Sequence, residues 1–226
     1  MFTMARKASY LLESELPSKA FFYLLCNKDG LTGYGLAKLV YGVGFFSPVK
    51  IYDILKKLKA EKLITSEETI IKGKRSNMIR PVMFEFLKVL NERKLPEEHR
   101  LTDAELKTLS EFSDKKIIWK NVLQMNFNEV TDLSLMKEEP LNILDAVAAV
   151  LKTGVSMSSA LKENKARSRA FTKKAGAVNV FTNVLTFFQD FAAIPAPISE
   201  KLQHLIIPKP MSNLLVFAQA VAKQFF

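Results

Sequence analysis

The chain has 226 residues, of which 48% are hydrophobic and 25% charged. These values are close to the averages of globular proteins and exclude a disordered or low-complexity chain. The net charge is +10, and a single cysteine, Cys26, excludes an internal disulfide framework and fits a reducing compartment. No run of about 18 uncharged apolar residues is present, and the first fifteen residues lack the apolar core of a signal peptide. We therefore expect a cytoplasmic protein without a membrane segment.

Positive charge is concentrated in two stretches of the sequence. Residues 38–80 carry ten Lys/Arg and four Asp/Glu, and residues 152–176 carry seven and one. The acidic stretch between them, residues 101–150, carries five and nine. Clustered positive charge indicates a polyanionic partner, which is nucleic acid or an anionic membrane surface. For either cluster alone, a solvated helix face is an equally good interpretation.

Three short helices are predicted at the start of the chain. The first covers residues 18–27 and ends at Asp29-Gly30, and the second covers residues 32–41. The third begins at Ser47-Pro48, an N-cap residue followed by proline at the first helical position, and continues to about Glu61.

The third helix has one narrow apolar face. Apolar residues recur at i, i+3, i+4 and i+7, which predicts a buried stripe of Ile51, Ile54, Leu55 and Leu58. At about 100° per residue, the opposite face consists of Val49, Asp53, Lys56 and Ala60, and the flanks carry Lys50, Tyr52 and Lys57.

A β-ribbon with a basic tip is predicted next. Residues 63–65 and 69–71 are short β-prone runs on either side of a charged strip, residues 66–68. A basic turn follows over residues 72–77, and residues 78–79 are apolar again. We expect two or three strands here and none after residue 80.

The remaining predicted elements are helical. One helix runs from Pro81 to about Arg93, and a linker covers residues 96–100. Thr102 and Glu105 have the spacing of a capping box. A later helix opens at Glu139-Pro140 and runs through Val150, with Gly154 as its stop signal. The order is three helices, a ribbon and an all-α remainder.

This order is that of a winged helix-turn-helix domain. Its third helix would enter the major groove of duplex DNA, and the basic ribbon would contact the backbone. Hydroxyl and amide side chains beside the cations would bind phosphates. The predicted DNA-binding residues are Ser47, Val49, Lys50, Tyr52, Asp53, Lys56, Lys57, Lys72, Lys74, Arg75, Ser76, Asn77 and Arg80.

Short motifs in this region resemble the PadR-like winged-helix transcriptional regulators. They are Gly33-Tyr34-Gly35-Leu36, the run SPVKIYDILKKL from Ser47 to Leu58, and Leu63-Ile64; Gly73-Lys74-Arg75 is similar to the family's basic wing turn. The resemblance covers residues 15–95 and implies a dimeric DNA-binding repressor or activator, with the Tyr52 hydroxyl at the DNA. Residues 77–81 lack the aromatic pair that the family often carries there, and residues 101–226 do not match its C-terminal helices.

The sequence shows no motif for catalysis. His99 and His204 lie far apart and outside any zinc motif, and no P-loop, GxSxG or dinucleotide fingerprint is present. We expect no enzyme, no metal and no cofactor. The second basic stretch, Lys162–Lys174, has three interpretations: a solvated helix, a phosphate contact, or a contact with the acidic stretch of a partner subunit. The C-terminal phenylalanines predict a core or dimer interface, with a small-molecule pocket as the alternative.

We therefore expect a mainly α protein with two domains, an N-terminal winged helix-turn-helix over residues 1–95 and an all-α C-terminal domain over residues 96–226. The expected function is sequence-specific binding of double-stranded DNA and transcriptional regulation. A homodimer would bind half-sites about 34–36 Å apart. The alternative is a protein-interaction module, or an architectural chromosomal protein without sequence-specific readout. A small-molecule effector is left open.

Overall fold

The computed structural model describes residues 10–12, 15–42, 48–71, 73–117, 119, 143–163 and 190–208. The chain divides into two compact units. The described residues of the first unit are 10–12, 15–42, 48–71, 73–89, 119 and 143, and the others belong to the second. This division falls after Val89, inside a helix, whereas the sequence places a boundary after residue 95. The described part is mainly helical, with one small antiparallel sheet.

The three predicted N-terminal helices are present in the first unit. They are α1 (Glu15–Leu25), α2 (Gly33–Tyr41) and α3 (Pro48–Ala60). Helix α2 begins after Thr32, whose hydroxyl accepts a hydrogen bond of 3.0 Å from the backbone N–H of Gly35. This side-chain cap satisfies one of the backbone donors that have no partner in the first turn of a helix.

Three strands form the sheet: β1 (Leu31–Thr32), β2 (Ile64–Ile71) and β3 (Lys74–Pro81). Their order is β1-β3-β2, and both pairs are antiparallel. The ribbon itself consists of two strands, β2 and β3, which confirms the prediction of two or three, and the third strand of the sheet, β1, precedes α2. The sequence did not indicate β1, because two residues are too few to show an alternating pattern.

Two details of the ribbon prediction are wrong. The two β-prone runs form one continuous strand, because residues 66–68 pair with residues 77–79 of β3. Glu67 and Glu68 are both exposed although adjacent strand residues point to opposite faces, so both faces of the ribbon are open to solvent at this point. The turn is also shorter than predicted, since β3 begins at Lys74 and Ile71 pairs with Lys74. Gly73 has a φ of +76°, a left-handed conformation that allows this tight turn.

The core of the first unit is formed by buried apolar side chains of α1, α2, α3 and the start of α4 (Met83–Lys94). The rings of Phe21 and Phe86 stack with their centroids 4.9 Å apart. The predicted apolar stripe of α3 is confirmed as buried, and other fully buried side chains are Leu11, Leu24, Leu36 and Leu63. Burial of this stripe leaves the opposite face of α3 toward solvent.

The second unit contains the end of α4, α5 (Asp103–Lys116), most of α6 (Ile143–Glu163) and α7 (Ala196–Leu202). The connection between α4 and α5 includes a short 3-10 helix, Glu97–His99. The buried Asn91 amide donates to the carbonyl of Leu101 and accepts from its N–H, at 3.0 and 2.8 Å. These two bonds fix the connection and satisfy polar groups that would otherwise be buried without partners.

The predicted stop at Gly154 is wrong, because α6 continues through it to Glu163. The lack of a side chain serves close packing here. A Cβ atom at Gly154 would lie 2.3 Å from Cε1 of the buried Phe191 ring. The sequence predicts the end of the helix at this glycine because it does not show that the Phe191 ring packs against it.

We expect Gly154→Ala to destabilise the protein by about 1–3 kcal/mol, because the added methyl group overpacks the site at Phe191. A destabilising effect of this substitution is unusual, since Ala in a helix interior is normally more favourable than Gly by about 1 kcal/mol. Urea denaturation of the two proteins measures the difference. Adding Phe191→Leu should recover part of the loss, whereas a stabilising Gly154→Ala would contradict the packing explanation.

The capping box of α5 is confirmed and is joined to α7 by an ion pair. The N–H of Thr102 donates to the Glu105 carboxylate, and Lys201 donates to both Glu105 oxygens at 2.9 and 2.8 Å. Partial burial raises the pKa of Glu105, but the hydrogen bonds from Lys201 and Thr102 outweigh it and hold the pKa below its ordinary value.

This lowered pKa predicts an acid-dependent loss of stability. The folded state favours the Glu105 carboxylate, so its contribution is complete above the unfolded pKa of about 4.3 and is lost as the pH falls through the lowered folded value. Glu105→Gln should remove this step from a plot of unfolding free energy against pH. Glu111→Gln, an exposed carboxylate on the same helix, is the control and should retain it. An unchanged step in Glu105→Gln would contradict the assignment.

Candidate nucleic-acid interface

The exposed face of α3 carries the predicted contact residues. The Val49 and Tyr52 side chains are 66% and 55% exposed. These are high values for apolar and aromatic side chains, which are usually covered. The predicted site residues of α3 that the structure describes are all exposed: Val49, Lys50, Tyr52, Asp53, Lys56 and Lys57. The burial of the apolar stripe thus leaves four cations, counting Lys59, and one carboxylate on the solvent side.

Tyr52 is positioned by the start of α2. A Cβ atom at Gly33 would lie 2.7 Å from Cε1 of the Tyr52 ring and 3.2 Å from its hydroxyl oxygen. The ring therefore lies directly against the Gly33 backbone while more than half of the side chain stays exposed. This contact holds the phenol at the surface where α2 and α3 meet.

Gly33→Ala is expected to displace the Tyr52 ring with little loss of folding stability, because an exposed ring can move. Nuclear magnetic resonance of the tyrosine ring protons should show the shift. If Tyr52 contacts DNA, the variant should bind duplex more weakly, by about the same factor as Tyr52→Ala. Gly42→Ala is not a suitable control because Gly42 has a φ of +80°. Gly35→Ala is the control, since an added Cβ there would approach the Thr32 hydroxyl at 3.2 Å and not the Tyr52 ring. Unaltered Tyr52 resonances in Gly33→Ala would contradict this.

Lys57 belongs to a different part of the surface. Its ammonium group lies 4.4 Å from the centroid of the Tyr10 ring, a cation–π distance. On the helix, Lys57 is rotated by about 140° from Tyr52. The Tyr10 N–H also donates to the Glu61 carboxylate at 2.8 Å, close to the end of α3. The structure therefore groups Lys57 with the N-terminal segment and leaves Lys56 beside Tyr52 and Asp53.

The hairpin formed by β2 and β3, hereafter the hairpin, carries paired charges. Arg75 is 86% exposed and lies 3.6 Å from the Glu68 carboxylate. Arg80 forms an ion pair with Glu67 and donates to the Asp29 carbonyl at 3.3 Å. An ion pair as exposed as that of Arg75 contributes little stability, so Arg75 can leave Glu68 and bind a phosphate instead. Arg80 instead joins β3 to the turn after α1.

The other predicted site residues of the hairpin lie in the strand rather than in a turn. Ser76 pairs with Thr69 and Asn77 pairs with Glu68, and Asn77 is exposed. Lys74 is the first residue of β3, where only its backbone is described. Three further predictions fall outside the described side chains: Ser47, Lys72 and the basic stretch Lys162–Lys174.

Sequence reasoning missed two exposed residues of α2. The Tyr34 side chain is 54% exposed, and the Lys38 ammonium lies 4.8 Å from its ring centroid. The i, i+4 spacing of the pair and the solvent side of α2 could have indicated them. They bring an aromatic ring and a cation to the helix that packs beside α3.

Comparisons with family models, curated proteins and solved structures find no match to this chain. In the described ranges, no group of three or more His, Cys, Asp or Glu side chains could hold a metal ion. Among the same residues, no helix is both long and apolar enough to cross a membrane. Cys26, which the sequence places in an apolar helix, lies just after α1 and is half-buried.

Proposed function

We propose that the protein binds duplex DNA through α3 and the hairpin and regulates transcription. The order α1-β1-α2-α3-β2-β3, with β1 paired to β3, supports this proposal because winged helix-turn-helix domains have the same order. An α-helix with its side chains is about 10–12 Å wide and fits a major groove of about 12 Å. The hairpin follows α3 directly in the chain and would contact the backbone.

The observation that carries this proposal is the exposed face of α3. Its helix presents lysines together with Val49, Tyr52 and Asp53, while the opposite side is fully used for the core. Lysines bind phosphates, and the other three side chains are of types that contact base edges or phosphates. A merely solvated helix would not need an exposed valine and tyrosine beside each other.

The residues that resemble the PadR-like regulators support the same proposal. Gly33 and Tyr52 belong to two motifs that lie apart in the sequence, and they touch in the structure. The resemblance also implies a homodimer. A two-fold related pair would bind an inverted repeat.

The second candidate function is protein binding through the same surface. It is favoured by a group of exposed apolar or aromatic side chains on α2 and α3: Tyr34, Leu39, Val49 and Tyr52. Aromatic side chains are also typical of protein interfaces. The ion pairs of Arg75 and Arg80 reduce the positive charge that the hairpin offers to DNA.

Selection of bound sequences from a random duplex library at about 0.15 M salt distinguishes these functions, because non-specific charge attraction is already weakened there. Enrichment of an inverted repeat is the expected result for a dimeric regulator. Binding without enrichment would favour an architectural role. Recovery of no DNA would contradict the proposal and favour the protein-binding module.

A further inference from the structure

Asp53 places a negative charge on the exposed face of α3. Its side chain is exposed, and among the described residues its carboxylate forms no ion pair and accepts no hydrogen bond. The cation at i+4 from it, Lys57, is held against the Tyr10 ring. Lys56 lies three residues after Asp53 and does not pair with it either. The exposed carboxylate, which has no partner among the described residues, can therefore accept a hydrogen bond from an external donor.

A carboxylate at this position is unfavourable for binding to a phosphate backbone. The cations of α3 attract the polyanion, whereas Asp53 repels it, so a purely electrostatic DNA contact would be stronger without it. A donor on a base edge reverses this effect. In the major groove, the N4 amino group of cytosine is the donor that Asp and Glu accept from.

Val49 lies one helical turn before Asp53 on the same face of α3, and it is more exposed than Tyr52. The major groove offers one apolar group, the C5 methyl of thymine. Four residues of helix rise by about 6 Å, which spans one or two base-pair steps. The two side chains can therefore reach neighbouring base pairs.

We propose that Asp53 accepts a hydrogen bond from a cytosine N4 amino group and that Val49 contacts a thymine methyl one or two base pairs away. This inference rests on the proposed function and adds the bases that the site reads. Asp53 then lowers the affinity for all other sequences, because the repulsion remains where no cytosine donor is present. The residue acts as a specificity determinant rather than as an anchor.

The test is the duplex selection with five proteins: wild type, Asp53→Asn, Asp53→Ala, Val49→Ala and the control Asp103→Asn. Asp103 is an exposed aspartate in the first turn of α5 in the second unit. Wild type and the control should enrich cytosine at one position of each half-site. Asp53→Asn should shift that position to adenine, since asparagine pairs with the N6 and N7 atoms of adenine.

Asp53→Ala gives an opposite pair of effects that a structural role would not. Preference for cytosine should fall by about tenfold, while affinity for unrelated duplex should rise because a negative charge is removed. Val49→Ala should weaken only the thymine preference. Because all substituted side chains are exposed, the variants should fold as the wild type does. Circular dichroism and the unfolding midpoint of each variant check that α3 is intact.

The outcomes separate the two proposals. A wild-type protein that recovers no duplex overturns both. Binding without an enriched sequence, or an enriched sequence that is unchanged in Asp53→Asn and Asp53→Ala, overturns this inference and leaves DNA binding standing. The inference is supported if, at one position of the half-site, the preferred base changes in Asp53→Asn and the preference for cytosine falls in Asp53→Ala.

Discussion

Asp145→Ala is expected to destabilise the protein by about 3–5 kcal/mol, with a fall of roughly 10 °C in melting temperature. Asp145 lies in the first turn of α6 and forms an ion pair with Lys94 at the end of α4. Both side chains are largely covered, since Lys94 is 20% and Asp145 9% exposed. Removing the carboxylate leaves the covered ammonium group without its charge partner.

The size of this effect comes from the charge that remains. Lys94→Met with Asp145→Leu removes both charges and should recover most of the stability, because buried ion pairs are often replaceable by apolar side chains. Lys115→Met is the exposed control. It breaks a surface pair with Glu111 at 3.8 Å and should change the stability by less than about 0.5 kcal/mol. A small effect of Asp145→Ala in chemical denaturation would contradict the role of the pair.

The helices were predictable where local chemistry decides them. The capping box at Thr102 and Glu105 depends on residues three apart, and the buried stripe of α3 follows from helical spacing alone. Features that depend on distant residues were not predictable. The Phe191 ring packs against Gly154 inside α6, and Leu31 and Thr32 form β1 by pairing with β3.

The candidate site shows the same division. Periodicity predicted that Val49, Asp53 and Lys56 lie opposite the core, and the structure exposes all three. It could not show that Tyr52 lies on Gly33, or that Lys57 turns to Tyr10, because both contacts join separate elements. Local pattern also predicts a break between strands at residues 66–68, whereas Glu67 and Glu68 lie within β2 and form ion pairs with the arginines of β3.

Lys56→Glu combined with Arg75→Glu is expected to reduce affinity for duplex DNA by roughly 100-fold at about 0.15 M salt. Each residue is an exposed cation on one of the two elements that we place against the DNA. Loss of one phosphate contact makes the slope of log affinity against log salt concentration shallower by about 1. The slope of the double variant should therefore be shallower by about 2. Fluorescence anisotropy at several salt concentrations measures both quantities.

The same charge change elsewhere is the necessary control, because net charge alone attracts DNA. Lys107→Glu with Lys115→Glu alters two exposed cations of α5 and should leave the slope nearly unchanged. The loss in Lys56→Glu with Arg75→Glu should be uniform across sequences, since phosphates carry no sequence information. Asp53→Ala changes sequence preference and raises non-specific affinity. Lys56 and Asp53 lie three residues apart on one helix, and opposite effects of their substitution on non-specific DNA affinity would assign anchoring and readout to separate side chains. An equal loss of affinity in the α5 control would show that only net charge matters.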